Sequence, residues 1–281
     1  MIYKGYSQEQ LDLQYNNRHH VPDFERHLTY WDDLSRQAEK KHPNIKEIHY
    51  GTKSLETLDV FPSDRPNSKT LIFIHGGYWR TFDKSSFYFV ADAFASYGVT
   101  TVLVNYPLAP AASMDQIVTS CRKALQFIHR NLVAYNGDPM KIYVVGHSAG
   151  GHLAAMLASL NVQPLYEDLV QGVCALSGLF NLIPIHLSNL NESLRLDKDT
   201  ARRNSPTQLL PLKKCAVLLA VGAEETAEFK AQSQELFTQW RRELKSIQHL
   251  VLPGLNHFSI LGSLCDSTSP LHHAVCTMMK I

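Results

Sequence analysis

Hydrophobic and polar residues alternate along this chain in two patterns, one typical of strands and the other typical of helices. Several apolar runs are short and continuous, which is typical of strands that are covered on both faces of a parallel sheet. Two earlier runs, at 46–51 and 56–61, are separated by a polar turn and predict an antiparallel hairpin. The predicted strands are 46–51, 56–61, 70–75, 100–106, 141–147, 170–179, 216–222 and 246–253.

The segments between these runs place apolar residues three and four positions apart, as one face of a helix requires. In the longest segment the spacing of Ile117, Cys121 and Leu125 is typical of an amphipathic helix. This regular alternation predicts an α/β fold in which a mostly parallel, twisted sheet has helices on both faces. The predicted helices are 87–97, 114–135, 152–160 and 227–244.

Two segments lie outside this alternation. Residues 1–45 are polar and indicate an N-terminal helical segment, whereas residues 180–212 carry Pro, Asn and Leu between two predicted strands. An insertion at the carboxyl end of a parallel strand lies above the edge where α/β sheets bind ligands, so we interpret 180–212 as a small cap. Residues 1–281 are expected to form a single domain.

Composition narrows the classes of function. The chain has 281 residues, of which 44% are hydrophobic, and a net charge of +1 with acidic and basic residues intermixed. This balance argues against the concentrated basic surface that a nucleic acid requires, and no segment approaches the roughly 20 apolar residues of a membrane span. The polar N-terminus argues against a signal peptide, so a cytoplasmic location is expected. The expected partner is a small-molecule substrate, and formation of a homodimer is left open.

The five cysteines are widely spaced and have no CxxC pair or histidine at zinc-site spacing. We expect them to be reduced and mostly buried as small apolar residues. Neither a metal ion nor an organic cofactor is expected.

The segment GHSAG at 146–150 gives the first indication of chemistry. Gly146, Ser148 and Gly150 fit the G-x-S-x-G elbow, in which a strained turn between a strand and a helix presents a serine hydroxyl above the sheet. Glycine is expected on both sides because a Cβ there would collide with the neighbouring strand and helix. The predicted strand before this segment and the predicted helix after it favour Ser148 as a nucleophile.

A serine hydroxyl is a weak nucleophile until a base removes its proton, so the elbow requires a histidine that a carboxylate orients. In this architecture the order along the chain is serine, acid and histidine, with the histidine after the last strand. His257 directly follows the predicted strand 246–253 and is the predicted base. His249 lies within that strand, and His272 and His273 belong to a predicted terminal helix.

The acid is expected after the predicted strand 216–222, where the sequence continues AEE. Glu225 and Glu224 are both candidates, and Glu228 on the next helix is a third. The spacing from the last glycine of the strand favours Glu225, and Glu224 stays open as an alternative.

Attack on a carbonyl carbon creates an oxyanion, which backbone N–H groups must stabilise. The sequence HGGYW at 75–79 lies at the end of the predicted strand 70–75, which is the position of an HGGG-type oxyanion loop in this architecture. The predicted donors are the N–H groups of Gly77, Tyr78 and Ala149.

These motifs, together with NYPLAP at 105–110 and DPMKIYVVGHSAGGHLAAM at 138–156, resemble the hormone-sensitive-lipase-like branch of the α/β-hydrolases. HGGYW in place of HGGG is similar to the kynurenine formamidase group, as are QYNNRHHVPDF at 14–24 and VGAEETAEFKAQSQEL at 221–236. The resemblance covers nearly the whole chain and implies the α/β-hydrolase fold. The chain departs from the group at Glu225, where the group commonly has aspartate.

The resemblance implies a serine hydrolase that cleaves N-formyl-kynurenine, or a similar N-formyl arylamine, through a formyl-enzyme on Ser148. Tyr78 and Trp79 are bulky and suggest a small acyl pocket. Trp79 and Phe180 are interpreted as substrate-binding residues, since aromatic side chains could stack on an aryl ring. The candidates for holding the amino-acid end of such a substrate are Arg195, Arg202 and Asn189.

Two other functions use the same motifs. A general carboxylesterase acting on short-chain acyl esters needs the same nucleophile, base and oxyanion loop, and the sequence leaves this alternative open. A hydrolase-fold protein that binds a ligand without turnover usually lacks a catalytic residue, whereas every catalytic role has a candidate here.

Overall fold

A computed structural model describes residues 1–159 and 169–281 of the chain. The strands are β1 (Ile45–His49), β2 (Thr57–Phe61), β3 (Ser68–Ile74), β4 (Thr100–Val104), β5 (Gly137–His147), β6 (Val170–Leu176), β7 (Ala216–Gly222) and β8 (Ile247–Leu252). They form one sheet in the order β1-β2-β4-β3-β5-β6-β7-β8. β2 is antiparallel to both of its neighbours, and the six strands from β4 to β8 in this order are parallel. The predicted α/β-hydrolase fold and the antiparallel hairpin are therefore confirmed.

The helices follow the predicted alternation with shifted ends. They are α1 (Gln8–Gln14), α2 (Asn17–His20), α3 (Phe24–Lys41), α4 (Phe89–Ala95), α5 (Met114–Asn131), α6 (Ala149–Leu157), α7 (Ile183–Leu187), α8 (Asn191–Leu194), α9 (Lys198–Arg203), α10 (Ala227–Trp240), α11 (Ser259–Cys265) and α12 (Pro270–Met279). The helix predicted at 152–160 begins three residues earlier because it starts directly after the elbow serine. Its predicted last residue, 160, lies outside the described residues.

Two hydrophobic cores lie on opposite faces of the sheet. In β3, Ile72 and Ile74 point into the core that α5, α6 and α10 cover, whereas Leu71 and Phe73 point into the core that α3, α4, α11 and α12 cover. Successive residues of a strand point to opposite faces, so a sheet with two covered faces needs apolar residues at every position. This requirement explains why the central strands read as continuous apolar runs.

The N-terminal helical segment and the predicted cap contact each other. The cap comprises the short helices α7, α8 and α9 between β6 and β7. The side-chain amide of Gln8 donates to the carbonyl of Leu187 at 2.9 Å, and the N–H of Asn189 donates to Oδ1 of Asp12 at 2.8 Å. These bonds join α1 to the cap at the carboxyl ends of the parallel strands.

Three further features of the described part of the chain bear on function. None of its helices is long and apolar enough to cross a membrane. The five cysteines are free, and four of them are buried while Cys265 is partly exposed, so the prediction that they are mostly buried is confirmed. Within residues 1–159 and 169–281, no group of three or more His, Cys, Asp or Glu side chains is arranged to hold a metal ion.

Candidate active site

Strand β5 and helix α6 meet at a sharp turn whose apex is Ser148. This residue has φ 56° and ψ −118°, a strained conformation for a residue other than glycine. A Cβ at Gly146 would lie 2.0 Å from the backbone oxygen of Gly150, and a Cβ at Gly150 would lie 1.9 Å from that of Ile74. Both positions therefore require glycine, and the predicted elbow geometry is confirmed.

The backbone of Ser148 is held from both sides. Its N–H donates to the carbonyl of Leu176 on β6 at 2.8 Å, and its carbonyl accepts from the N–H of His152 in α6 at 3.1 Å. Its hydroxyl makes no hydrogen bond to another described residue. A Cβ built on Gly76 would lie 3.0 Å from the Cβ of Ser148, so the HGGYW loop packs directly against the serine.

A buried carboxylate and imidazole form the second part of the site. Oε2 of Glu225 lies 2.7 Å from Nδ1 of His257. Oε1 of the same carboxylate accepts from the N–H of Gly222 at 2.7 Å and from the hydroxyl of Ser177 at 2.5 Å. Three contacts thus orient the carboxylate, and a carboxylate at Nδ1 leaves Nε2 of the imidazole as the basic nitrogen.

The alternative acids do not reach this imidazole. Glu224 is exposed to solvent. Glu228 is buried on α10, where Oε2 accepts from the hydroxyl of Tyr15 at 3.4 Å. Of the three candidates, the structure brings only Glu225 to His257.

The alternative histidines also lie elsewhere. His249 is on β8, with its ring stacked on Phe237 at 5.5 Å. His272 is buried on α12, where Nδ1 lies 2.9 Å from the carbonyl of Leu264, and the neighbouring His273 is exposed. His257 is the predicted histidine that lies beside both the carboxylate and the elbow.

Ser177 supports the carboxylate and was missed by the sequence reasoning. It follows β6 directly, has φ 50°, and donates its N–H to the carbonyl of Ala220 on β7 at 2.7 Å. This conformation directs its hydroxyl to Glu225. The only signal in the sequence is a small hydroxyl residue between a buried strand and a glycine.

His147 supports the imidazole and was also missed. Its Nε2 lies 2.8 Å from the backbone oxygen of His257, and since a carbonyl only accepts, Nε2 carries the hydrogen. Burial lowers the pKa of His147 well below the ordinary value for histidine, and the nearby His257 ring adds to this effect. His147 therefore stays neutral and holds the backbone of His257 against the elbow.

The predicted oxyanion loop has an unusual backbone. Gly77 has φ 101°, and the two residues after it, Tyr78 and Trp79, have φ 49° and 57°. The carbonyl of Gly77 accepts from the N–H of Arg80 at 3.0 Å, which closes a tight turn. No described residue accepts a backbone hydrogen bond from the N–H of Gly77, Tyr78 or Ala149.

The prediction that Trp79 binds substrate is corrected by its burial. Its side chain is fully buried, and Nε1 donates to Nδ1 of His152 at 3.2 Å. Nε2 of His152 in turn donates to the carbonyl of Asn204 in the cap at 2.7 Å. Two consecutive left-handed residues turn Trp79 inward, so its ring fills the core beneath the loop rather than a cavity wall.

The same correction applies to Phe180. It is fully buried, and a Cβ at Gly178 would lie 2.3 Å from its ring. Its N–H donates to Oε1 of Gln232 on α10 at 2.6 Å. Phe180 therefore belongs to the core under the cap and does not line the cavity.

A cavity of about 340 Å³ contains the site. Ser148 and His257 line it, and its size lies within the range of about 300 to 1,000 Å³ that is typical of small-molecule sites. Tyr78 lies in its wall, and burial, with the charge of Glu225 adding to it, raises the pKa of the Tyr78 hydroxyl, so this group stays protonated. The aromatic residues of the cavity wall are Tyr15, Trp31, Tyr78, Phe82, Phe87 and Phe258.

The polar part of the cavity wall differs from the one that was predicted. Asn189 lines the cavity as expected, whereas Arg195 and Arg202 do not. Arg195 ends α8 with φ 50°, and Arg202 lies on the exposed face of α9. Apart from His257, the polar residues of the wall outside the elbow and the HGGYW loop are Asp12, Asn16, Asn17, Arg18, Arg80, Thr81 and Asn189. Asp12, Asn16, Asn17 and Arg18 come from the N-terminal segment, which no motif marked as part of the site.

Comparisons with known proteins agree with this architecture. The BD-FAE family matches residues 58–239. A kynurenine formamidase of Salmo salar is 30% identical over 269 residues, which is 90% of this chain and 88% of the relative. A kynurenine formamidase of Danio rerio is 29% identical over 278 residues, which is 94% of each chain.

A solved structure has the same overall fold as this chain. A protein of a Silicibacter species, described as a thioesterase candidate, superposes with a TM-score of 0.85 at 25% identity. The match covers 97% of this chain and 99% of that protein. The cap and the N-terminal segment are thus included in the shared architecture.

Proposed function

The chain belongs to the BD-FAE family and to the kynurenine formamidases, and it is a hydrolase; from that premise we propose that it cleaves N-formyl-kynurenine or a similar N-formyl arylamine. The products are formate and the free arylamine. In this proposal Ser148 is the nucleophile, His257 is the base and Glu225 is the acid that orients it.

One observation carries the proposal. The elbow serine, the imidazole that contacts Glu225 and the HGGYW loop all line one cavity, although they come from distant parts of the chain. A nucleophile, an oriented base and available backbone donors are what acyl transfer requires.

In the first half of the reaction, Oγ of Ser148 attacks the formyl carbon while its proton moves to Nε2 of His257. The required hydrogen bond between these groups is of a kind that often forms only when substrate is bound. The N–H groups of Gly77, Tyr78 and Ala149 stabilise the oxyanion. The C–N bond then breaks as His257 returns the proton to the leaving nitrogen, and a formyl ester remains on Ser148.

In the second half, water attacks the formyl ester while His257 accepts a proton from it. The ester C–O bond breaks, the proton returns to Oγ of Ser148, and formate leaves. Glu225 stabilises the imidazolium in both halves and does not itself take the proton.

The shape of the site supports a small acyl group. Gly76 packs against Ser148, and the side chain of Tyr78 lies in the same wall, so a hydrogen is accommodated more readily than an alkyl chain. The aromatic residues of the cavity wall could pack against an aryl leaving group. The same residues would also cleave short-chain acyl esters, which makes a general carboxylesterase the alternative.

The proposal is tested by following formate release from N-formyl-kynurenine by the purified protein and by a Ser148→Ala variant. We expect kcat to fall by roughly 10⁴-fold or more in the variant, because the nucleophile is lost. Full activity of the variant would contradict the proposed mechanism. A kcat/KM for p-nitrophenyl butyrate far above that for the formyl arylamide would instead favour the carboxylesterase.

A further inference from the structure

Two arginines lie in the wall of the active-site cavity. Arg18 belongs to α2, and Arg80 directly follows the HGGYW loop. Both side chains belong to exposed residues and line the same cavity as Ser148. Segments that are 62 residues apart along the chain thus contribute two arginines to the wall of one cavity.

Neither guanidinium has an acidic partner among the described residues. Within residues 1–159 and 169–281, no carboxylate lies within 4.0 Å of the guanidinium of Arg18 or Arg80, whereas Arg203 pairs with Asp115 at 2.6 Å. Arg18 lies over the ring of Phe24 at 5.0 Å from its centroid, and Arg80 donates to Oγ of Ser193 at 3.2 Å. These neutral contacts position each group and leave most of its N–H donors unused.

The remaining charge in the cavity wall does not cancel these two. Asp12 is the acidic residue among the described residues that line the cavity. Its Oδ1 already accepts from the N–H of Asn189 at 2.8 Å and from the side-chain amide of Gln8 at 3.1 Å. The wall therefore carries an excess of positive charge, which favours an anionic group on the substrate.

We propose that Arg18 and Arg80 bind a carboxylate on the leaving arylamine, so that the enzyme selects formyl arylamines with an amino-acid side chain over neutral ones. A guanidinium binds a carboxylate through two parallel hydrogen bonds, and a neutral arylamide offers it no such partner. This inference rests on the proposed function and makes both arginines specificity-determining residues.

The experiment compares two substrates that differ only at the distal end. One is N-formyl-kynurenine, and the other is N-(2-acetylphenyl)formamide, which has the same formyl arylamine without the amino-acid group. We expect kcat/KM of the wild-type enzyme to be roughly 10- to 100-fold higher for the first, through KM rather than kcat, as one or two charge-assisted bonds would give.

The variants are Arg18→Gln and Arg80→Gln, with Arg26→Gln as the matched control. Arg26 is also an exposed arginine of the N-terminal segment, but it does not line this cavity. We expect each cavity variant to lose roughly 10-fold in kcat/KM for the carboxylate substrate and to keep its activity on the neutral one within about 2-fold. Arg18→Lys and Arg80→Lys should restore only part of the loss, because an ammonium cannot form the paired bonds.

The outcomes separate this inference from the proposed function. If the wild-type enzyme cleaves both substrates equally well, or if the cavity variants lose activity on both alike, the role of the arginines is wrong and the formamidase function stands. If the wild-type enzyme cleaves neither formamide but cleaves aryl esters, the proposed function is wrong and this inference fails with it.

Discussion

The floor and the rim of the cavity are built in different ways. The floor consists of Ser148, Glu225 and His257 with their supports Ser177 and His147, all buried at the ends of parallel strands. The rim consists of Asp12, Arg18, Arg80 and Asn189 and comes from the N-terminal segment, a loop and the cap. Hydrogen bonds of 2.5 to 2.8 Å connect Ser177 to Glu225, Glu225 to His257, and His147 to the backbone of His257. The rim residues are partly or largely exposed.

On the proposed mechanism, we expect this difference to separate the chemical step, which the floor performs, from the selection of substrate, which the rim performs. Burial keeps the groups of the floor in one arrangement, which proton transfer requires. The rim is in contact with solvent, where charge interactions are weaker but a ligand can reach them. Changes in the floor should therefore lower kcat strongly, and changes in the rim should act mainly on KM.

The strongest test of this comparison is Glu225→Gln. We expect kcat to fall by roughly 10⁴-fold with little change in KM, because a neutral amide neither holds the productive tautomer nor stabilises the imidazolium. The matched control is Glu224→Gln, since Glu224 is adjacent in sequence but exposed, and its activity should stay within about 2-fold. Steady-state kinetics on N-formyl-kynurenine measure both. Equal losses in the two variants would show that the carboxylate beside His257 has no special role.

The next test asks whether the neutral imidazole of His152, on α6, connects Trp79 to the cap. Burial lowers the pKa of His152 to about 4, and the Nδ1 of this ring accepts a hydrogen bond from the indole N–H of Trp79. The unfolded chain binds this proton near pH 6.5 and the folded protein does not, so the free energy of unfolding falls as the pH falls from 6.5 to 4.

For His152 this loss amounts to about 3 kcal/mol over that range. Urea unfolding at pH 7.5 and pH 4.5 measures it. We expect the difference between the two pH values to shrink by about 2 kcal/mol in a His152→Gln variant and to stay unchanged in a His273→Gln control, which alters an exposed residue. An unchanged difference in the His152 variant would contradict this account.

The smallest expected effect concerns Ser177, which acts as a positioning residue through Glu225. We expect Ser177→Ala to lower kcat by roughly 10-fold, because one hydrogen bond to the carboxylate is lost, and to leave KM nearly unchanged. Ser233→Ala is the control, since Ser233 is equally buried but its hydroxyl has no partner among the described residues. A rise in KM without a fall in kcat would instead show that Ser177 acts on substrate binding, as the rim residues are expected to do.

The elbow and the base could be predicted because local rules determine them. A strand, two glycines that the backbone requires and a helix together identify Ser148 as the elbow serine. A histidine directly after the last parallel strand lies at the same edge of the sheet as this elbow. The positions of Trp79 and Phe180 could not be predicted in this way. An aromatic residue beside a motif can point into a cavity or into the core. The left-handed backbone at Tyr78 and Trp79 directs the side chain of Trp79 into the core.

By itself, the sequence determined the order of strands and helices along the chain, the elbow at Ser148 and the place of His257 directly after the last strand, since periodicity and motif order are properties of neighbouring residues. Only the tertiary structure decided that Glu225 rather than Glu224 contacts the imidazole, that Ser177 and His147 support the pair, and that Arg18 lies in the cavity wall. The hydrogen bonds among these residues join positions from 32 to 110 apart along the chain. Packing of the sheet, cap and N-terminal segment brings the residues of the site together, and no local pattern does.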